Sequence, residues 1–311
     1  MLATPWDAPF VDDDWLFELK WDGIRCLLSS QHGDVSLHSR NGNDLTGRYP
    51  ELAELEIAGG FVLDGEIVAL DEKGHPSFEL LQGRMNLEQP GSLSRAVPIS
   101  YVVFDMLHDG ESLVNSPLLE RSERLATMRL PGPVIVGDQF GGDSRPIWDF
   151  VIEHSLEGIV AKRITSRYQP GVRSPDWRKI ANFKQVRAVV GGYTVGTGGR
   201  ASTFGALLLG LWTEDRLRWI GSVGSGFDDK ALRAIREALD EMVLPTSPFG
   251  VDDDIPRGST FVEPRLVATI QCKQWTAAGR LRAPSFKGFS DLPAGAATWG
   301  SEGPVHSSDG S

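Results

Sequence analysis

Lys20 stands in the run Trp15-Leu16-Phe17-Glu18-Leu19-Lys20-Trp21, whose aromatic content reads as a buried strand. An ammonium ion is costly in such a place, so the residue calls for a chemical reason. Burial beside a second cation, Arg25, would favour the neutral amine that attacks an electrophile, and the same guanidinium can hold a phosphate. Asp22-Gly23 predicts a tight turn that sends the chain back along the first strand, so that Lys20 and Arg25 point into one pocket. Taken alone, the stretch 18–25 reads equally well as an edge-strand lysine beside a hairpin turn. A second group lies at 61–70, an apolar strand interrupted by Asp64 and Glu66, which are two apart and share a face, with Gly65 between them. Buried carboxylates need partners, and a ribose hydroxyl, a metal-bound water or a basic side chain would serve. The alternative is a turn between two short strands.

The elements that must position these residues alternate between strands and helices. Strands are predicted at 24–30 and 35–39, joined by a turn at His32-Gly33-Asp34, and a short helix at 50–57 with Pro50 at its start. The strand 101–107 offers Phe104 for stacking on a flat ring, or simply as a core aromatic. Residues 116–129 predict a structural amphipathic helix with Ser116 as N-cap and Pro117 first, and a second helix covers 146–154. Next comes the strand 157–163, with Glu157 at its head and Lys162 and Arg163 at its tail. A basic loop at 168–174 carrying Arg173 leads to Trp177-Arg178-Lys179-Ile180. Beyond Arg187, strands at 188–195, 205–212, 217–223 and 264–275 and a helix at 228–242 capped by Asp228 suggest a small closed barrel of the oligonucleotide-binding type. The expected organisation is a first domain over 1–186, a second over 187–292, and a disordered Gly/Ala/Ser/Pro-rich tail over 293–311.

At 311 residues the chain is long enough for two cores, and 41% hydrophobic with 23% charged residues is the balance of a soluble globular protein. The longest apolar run, 206–212, is far too short to span a bilayer, and the N-terminus lacks the basic start and apolar core of a signal peptide. A cytoplasmic protein without a membrane partner is the expectation. Cys26 and Cys272 are isolated, which suggests neither a zinc site nor a disulfide framework. The net charge of -11 argues at first against a nucleic-acid partner, but its distribution reverses that reading. Residues 161–200 hold nine Lys or Arg against Asp176 alone, and 265–287 add five with no acid. Basic segments on an acidic body suit a polyanion held at one face.

Together these segments resemble the ATP-dependent DNA ligases, in the superfamily shared with RNA ligases and messenger-RNA capping enzymes. Lys20-Trp21-Asp22-Gly23-Ile24-Arg25 looks like the lysine nucleophile motif. Ser39-Arg40-Asn41-Gly42 with Asp44-Leu45-Thr46 looks like the segment after it, and Asp64-Gly65-Glu66 like the third motif. Phe104 and Asp105 sit where the adenine-stacking strand lies, Glu157-Gly158-Ile159-Val160-Ala161-Lys162 resembles the fourth motif, and Trp177-Arg178-Lys179 the fifth. Each is weak alone, but six in order over residues 1 to about 290 are specific. Pro5, the run 15–18, Gly191-Gly192-Tyr193 and the stretch 279–284 are similar to bacterial ligases of the end-joining type.

The resemblance implies an α+β fold: a nucleotidyltransferase domain of ATP-grasp-like antiparallel sheets with helices, followed by an oligonucleotide-binding barrel. It also implies a reaction in which Lys20 attacks the α-phosphate of ATP, the AMP passes to the 5′-phosphate of a nick in duplex DNA, and the 3′-hydroxyl displaces it. Nucleotide contacts then fall to Glu18, Arg25, Arg40, Glu66, Phe104, Glu157, Lys162, Arg173 and Lys179, with Glu66 on the ribose and Phe104 on adenine. Asp22 and Glu157 would order water around Mg²⁺ or Mn²⁺. The expected protein is a monomer whose end-joining partners are separate chains. Two departures bear on the steps that involve ATP. Ala181 stands where many relatives carry a second lysine, with Lys184 nearby as a substitute, and the last motif is reduced to Phe289-Ser290-Asp291-Leu292-Pro293. An RNA ligase, a capping-type guanylyltransferase and a non-catalytic nick-binding module remain alternatives.

Overall fold

The structure, a computed structural model, describes residues 1–57, 59–72, 74–85, 97–214, 216–250 and 253–304. The chain divides into two compact units, with Asn182 closing the first and Phe183 opening the second. The division precedes the expected 186 because the strand β12 (Lys184–Tyr193), which belongs wholly to the second unit, already begins at Lys184.

Two sheets build the first unit. The five-stranded sheet has the order β1 (Leu2–Pro5), β11 (Arg173–Ala181), β10 (Gly158–Arg163), β2 (Val11–Leu19) and β9 (Phe140–Asp143). The six-stranded sheet has the order β4 (Asp34–Ser39), β3 (Ile24–Gln31), β5 (Phe61–Ala69), β6 (Ile99–Asp109) and β7 (Glu111–Ser112), and β8 (Val134–Val136) pairs with β6 in parallel. Alternation along β2 sends Trp15 and Phe17 to a core with Ile147 and Val151 of the helix Arg145–Glu153, and leaves Glu18 on the opposite face. Between the sheets lies a small cluster of Leu107, Tyr168 and Trp177 with Phe104 and Leu27 packed against it.

The expected hairpin at Asp22-Gly23 is not formed. β2 pairs with β9 and β10, whereas β3 pairs with β4 and β5, so residues 20–23 cross from one sheet to the other. Gly23 allows that crossing, because a Cβ there would lie 2.1 Å from the Ile67 carbonyl oxygen and 2.9 Å from Val68 Cγ1. The reading of Asp64 and Glu66 as members of one continuous strand holds. Gly65 leaves room for the Tyr101 ring, which a Cβ would approach to 2.7 Å, and the Tyr101 hydroxyl donates to the Cys26 carbonyl at 2.8 Å. The register of β5 against β6 shifts between Asp64 and Gly65, passing from Asp105 to Val103 and leaving Phe104 as the extra residue. Such a bulge re-aims a side chain. The helix Leu118–Thr127, which starts two residues later than expected and takes Pro117 rather than Ser116 at its N-cap, supplies the buried Arg121. Its guanidinium grips Asp105 through two bonds of 2.7 and 2.9 Å and so fixes β6 beside Phe104.

The second unit holds a seven-stranded sheet. Its main path is β14 (Leu217–Val223), β13 (Leu207–Trp212), β12 (Lys184–Tyr193), β16 (Thr260–Val262) and β15 (Val243–Leu244). β17 (Val267–Cys272) joins β12 to β20 (Ser285–Ser290), and β18 (Gln274–Trp275) pairs with β19 (Leu281–Arg282). Asp228 caps the helix Asp229–Asp240, accepting the Ala231 N–H. This is the oligonucleotide-binding fold expected from the short strands and glycine-rich turns. Part of the expected disordered tail is folded: Trp299 takes the Arg218 guanidinium at 4.0 Å from its ring centre, and Glu302 pairs with Arg187 at 2.5 Å. The last of the predicted tail, 305–311, lies outside the described residues. Both cysteines are buried and free, and among the described residues no helix is long and apolar enough to cross a membrane.

The crossover yields a direct test. Gly23→Ala is expected to destabilise the protein by about 1–3 kcal/mol, the usual range for forcing atoms into a packed site. Urea unfolding measures it, and an unchanged midpoint would contradict the close approach of residues 20–23 to β5.

Candidate active site

Nine of the residues singled out from the sequence line one cleft of about 230 Å³ in the first unit: Glu18, Lys20, Arg25, Arg40, Glu66, Phe104, Lys162, Arg173 and Lys179. Lys20 follows β2 directly, and its backbone N–H donates to the Gly158 carbonyl at 2.9 Å, which anchors it beside the start of β10. Its Nζ lies 2.7 Å from Glu157 Oε2. The group in contact with the lysine is therefore a carboxylate, not the Arg25 guanidinium anticipated from the sequence. Glu157 joins the site through this ion pair, and Asp22 lies in the crossover two residues further on.

Arg25 forms a bidentate pair with the fully buried Asp64, at 3.0 and 2.7 Å, and the Tyr168 hydroxyl donates to the same carboxylate at 2.7 Å. Burial alone would lower the guanidinium's proton affinity, but the bonds to Asp64 hold it above its ordinary value. Lys162 is almost wholly buried and meets Glu18 Oε2 at 2.7 Å and the Phe104 carbonyl at 2.9 Å. The ammonium also sits 4.4 Å from the centre of the Phe104 ring and 4.5 Å from that of Trp177, a desolvated cation–π arrangement. Gln139 donates to the other Glu18 oxygen at 2.8 Å. Burial pushes the Glu18 carboxyl up, against the downward pull of Lys162.

Glu66 lies opposite Arg25 in the β3–β5 register. Burial raises its pKa from 4.5 to about 8, more than Lys20 and Arg25 pull it down. It therefore holds a proton at neutral pH and can donate a hydrogen bond as well as accept one. Arg173 bonds the Ala3 carbonyl, and Arg40 reaches the rim as an exposed side chain. Arg178, the neighbour of Lys179, is directed away: its guanidinium stacks 3.8 Å from the Trp6 ring centre and 4.3 Å from that of Trp15. Lys184, suggested as a stand-in for the lysine missing at Ala181, falls in the second unit, where it pairs with Cys272 in the β12–β17 ladder.

Three contributors escaped sequence reasoning. Gln139 and Tyr168 act through Glu18 and Asp64, from loop and edge positions that no periodicity marks. Trp177 lay within a recognised motif, but only the structure places its ring against Lys162. Among the described residues no group of three or more His, Cys, Asp or Glu converges as a metal site. The carboxylates at hand, Asp22 and Glu157, fit only an ion held largely by water and phosphate oxygens, which is the habit of Mg²⁺.

The family model of the ATP dependent DNA ligase domain matches residues 1–181, and that of the ATP dependent DNA ligase C terminal region matches 200–291. The chain belongs to the ATP-dependent DNA ligases. This ligase is 38% identical over 298 residues to the multifunctional non-homologous end joining protein LigD of Mycolicibacterium smegmatis, an alignment covering 93% of this chain and 38% of that protein. It thus spans about two fifths of that relative's length. The solved mycobacterial DNA ligase D complexed with ATP and MES is 34% identical, with a TM-score of 0.56 over 96% of each chain. The ligase domain of Mycobacterium tuberculosis LigD has the same identity and coverage, with a TM-score of 0.55.

The raised Glu66 carboxyl has a measurable consequence. At Glu66 the folded state keeps a proton that the unfolded chain releases between pH 4.5 and about 8, so this residue makes stability fall as pH climbs through that window. Glu66→Gln should flatten the decline and leave the variant more stable than the parent at pH 9 by at least about 1.4 kcal/mol, the worth of one pKa unit. Parallel urea midpoints for the two proteins across this range would contradict the assignment.

Proposed function

We propose that the first unit is the adenylation domain of a ligase that seals nicks left by repair or end joining in duplex DNA. The observation that carries this reading is the placement of Lys20 at 2.7 Å from Glu157, in a cleft that also receives Arg25, Arg173, Lys162 and Lys179. Attack on the α-phosphate needs the amine without its proton, and Glu157 Oε2 is positioned to receive it. A nitrogen–phosphorus bond forms at Lys20 as the bond to pyrophosphate breaks. The AMP then passes to the 5′-phosphate at the nick, and the 3′-hydroxyl displaces it to close the strand. Each step is an in-line phosphoryl transfer, for which positioning and charge neutralisation supply most of the catalysis.

In this reading the cations hold phosphate oxygens, Phe104 stacks on adenine and protonated Glu66 bonds a ribose hydroxyl. Glu18 and Arg40 complete the nucleotide contacts, and Asp22 and Glu157 order the water of a divalent cation, which when bound neutralises phosphate charge. The second unit, whose 14 Lys and Arg are matched by 14 Asp and Glu over 183–311, would hold the duplex through its basic side chains rather than through a net charge. Not every basic side chain there is unmatched, since Arg265 pairs with Glu263 at 2.7 Å and Arg280 with Asp253 at 3.5 Å, while Arg200 is held by the Gly224 carbonyl at 2.7 Å. Separate end-joining proteins are the expected partners, in keeping with the role named for LigD.

Two outcomes are expected. Lys20→Ala should lose nick sealing with ATP by on the order of a thousandfold or more while keeping its fold, since no other group supplies the nucleophile. Sealing of a 5′-phosphorylated nicked duplex measures it, and retained activity would refute the role. The second outcome follows from the reduced last motif, Phe289-Ser290-Asp291-Leu292-Pro293, where the resemblance implies an Arg-x-Asp-Lys type segment that orients the leaving pyrophosphate. Lysyl-AMP formation should be slower than sealing of a pre-adenylylated nick by roughly a hundred- to a thousandfold, the usual effect of one lost preorganised contact. Equal single-turnover rates would show that other groups do that work.

A further inference from the structure

On the far face of the five-stranded sheet from Glu18, a groove of about 740 Å³ runs between β9 and the helix Arg145–Glu153. Phe140 and Phe150 form its walls and remain 46% and 44% exposed, and Ile147 and Leu19 contribute to its floor. Large exposed aromatics gathered at one groove are characteristic of an interaction site rather than of ordinary surface. The strand beside it is also open. β9 ends the five-stranded sheet and, among the described residues, pairs with β2 alone, leaving its outer backbone groups available to a further strand.

Charge selects the occupant. Residues 137–157 carry five acids against one base, but Asp143 is matched by Arg145 at 2.6 Å and Glu157 by Lys20 at 2.7 Å, which leaves Asp138, Asp149 and Glu153 as the acids of this face. Asp138 and Asp143 line the groove itself, and Asp12 lies opposite Gly142 in the adjoining ladder. With Asp138 as its unmatched lining charge, the groove favours a cationic segment over a nucleic-acid strand. We propose that the free edge of β9 and its acidic, aromatic groove dock an extended peptide segment of a partner protein, one that alternates Lys or Arg with bulky apolar residues. The segment adds a strand to β9 through main-chain hydrogen bonds, its apolar side chains enter between Phe140 and Phe150, and its cations face Asp138. Leu19 and Trp21, which flank Lys20, border both this groove and the nucleotide cleft, so an occupied groove lies directly behind the reactive lysine.

The test is fluorescence polarisation of the full chain with a short labelled peptide of alternating lysine and valine or phenylalanine. A proline-interrupted peptide of the same composition, unable to add a strand, is the control. Saturable binding is expected for the first peptide only. Phe140→Glu and Phe150→Glu should each weaken it about tenfold, the loss typical of one apolar anchor, and Asp138→Lys should weaken it and lower its salt dependence. All three side chains lie outside the nucleotide cleft, so unchanged AMP acceptance reports that the variants are folded. The proposal is overturned by absence of saturable binding, by equal binding of the proline-interrupted peptide, by variant affinities equal to the parent's, or by displacement of the peptide with nicked duplex.

Discussion

Several cations must share one half-buried cleft before any phosphate is there to balance them, and that constraint shapes the first unit. Isolated charges cannot be held in such a place, so the more deeply set cations take carboxylates: Lys20 takes Glu157, Arg25 takes Asp64 and Lys162 takes Glu18. The same bonds assemble the site. The lysine pairs bind β2 to β10 within one sheet, the arginine pair binds β3 to β5 within the other, and the Tyr168 hydroxyl reaches Asp64 from the segment between β10 and β11. Removing one partner would strand a charge and loosen the junction at once. In the proposed reaction a nucleoside triphosphate entering the cleft would exchange its phosphate oxygens for these carboxylate partners and find the cations already in position.

Glu66 shows the other solution to burial. Its carboxyl is deep enough that the nearby cations fail to keep it ionised, and it retains a proton near neutrality. Acidic groups in one cleft thus differ through surroundings alone, some standing as counter-ions to nearby cations and one with its proton affinity raised by burial. In the second unit several guanidiniums are likewise held by groups of their own fold: Arg200 by a carbonyl, Arg265 by a carboxylate, and Arg218 and Arg280 by indole rings. A count of basic residues along a sequence is therefore an upper bound on the side chains free to meet a polyanion.

Much of this was legible before any coordinates. Apolar strands carrying Lys20, Asp64, Glu66 and Lys162 announce themselves because a charge in a hydrophobic run is rare without cause, and nine of the singled-out residues do line one cleft. Less legible was topology. Asp22-Gly23 has the composition of a hairpin turn, yet Gly23 serves a crossing between sheets, set by the approach of β5 that no local pattern encodes. Equally hidden were Gln139 and Tyr168, polar residues in irregular segments whose partners lie more than a hundred positions away. The ordering of 294–302 escaped a compositional reading because it rests on Trp299 and Glu302, two side chains in an otherwise Gly/Ala-rich stretch.

The central claim is that this ion-paired cleft exists to make Lys20, and no neighbouring lysine, the carrier of AMP. Peptide mass spectrometry of the purified ligase after incubation with ATP and Mg²⁺ tests it most directly. The account predicts a single acid-labile adduct with the mass of one AMP, carried on Lys20. An adduct on Lys162 or Lys179, or no adduct from a protein that nonetheless seals nicks with ATP, would contradict it.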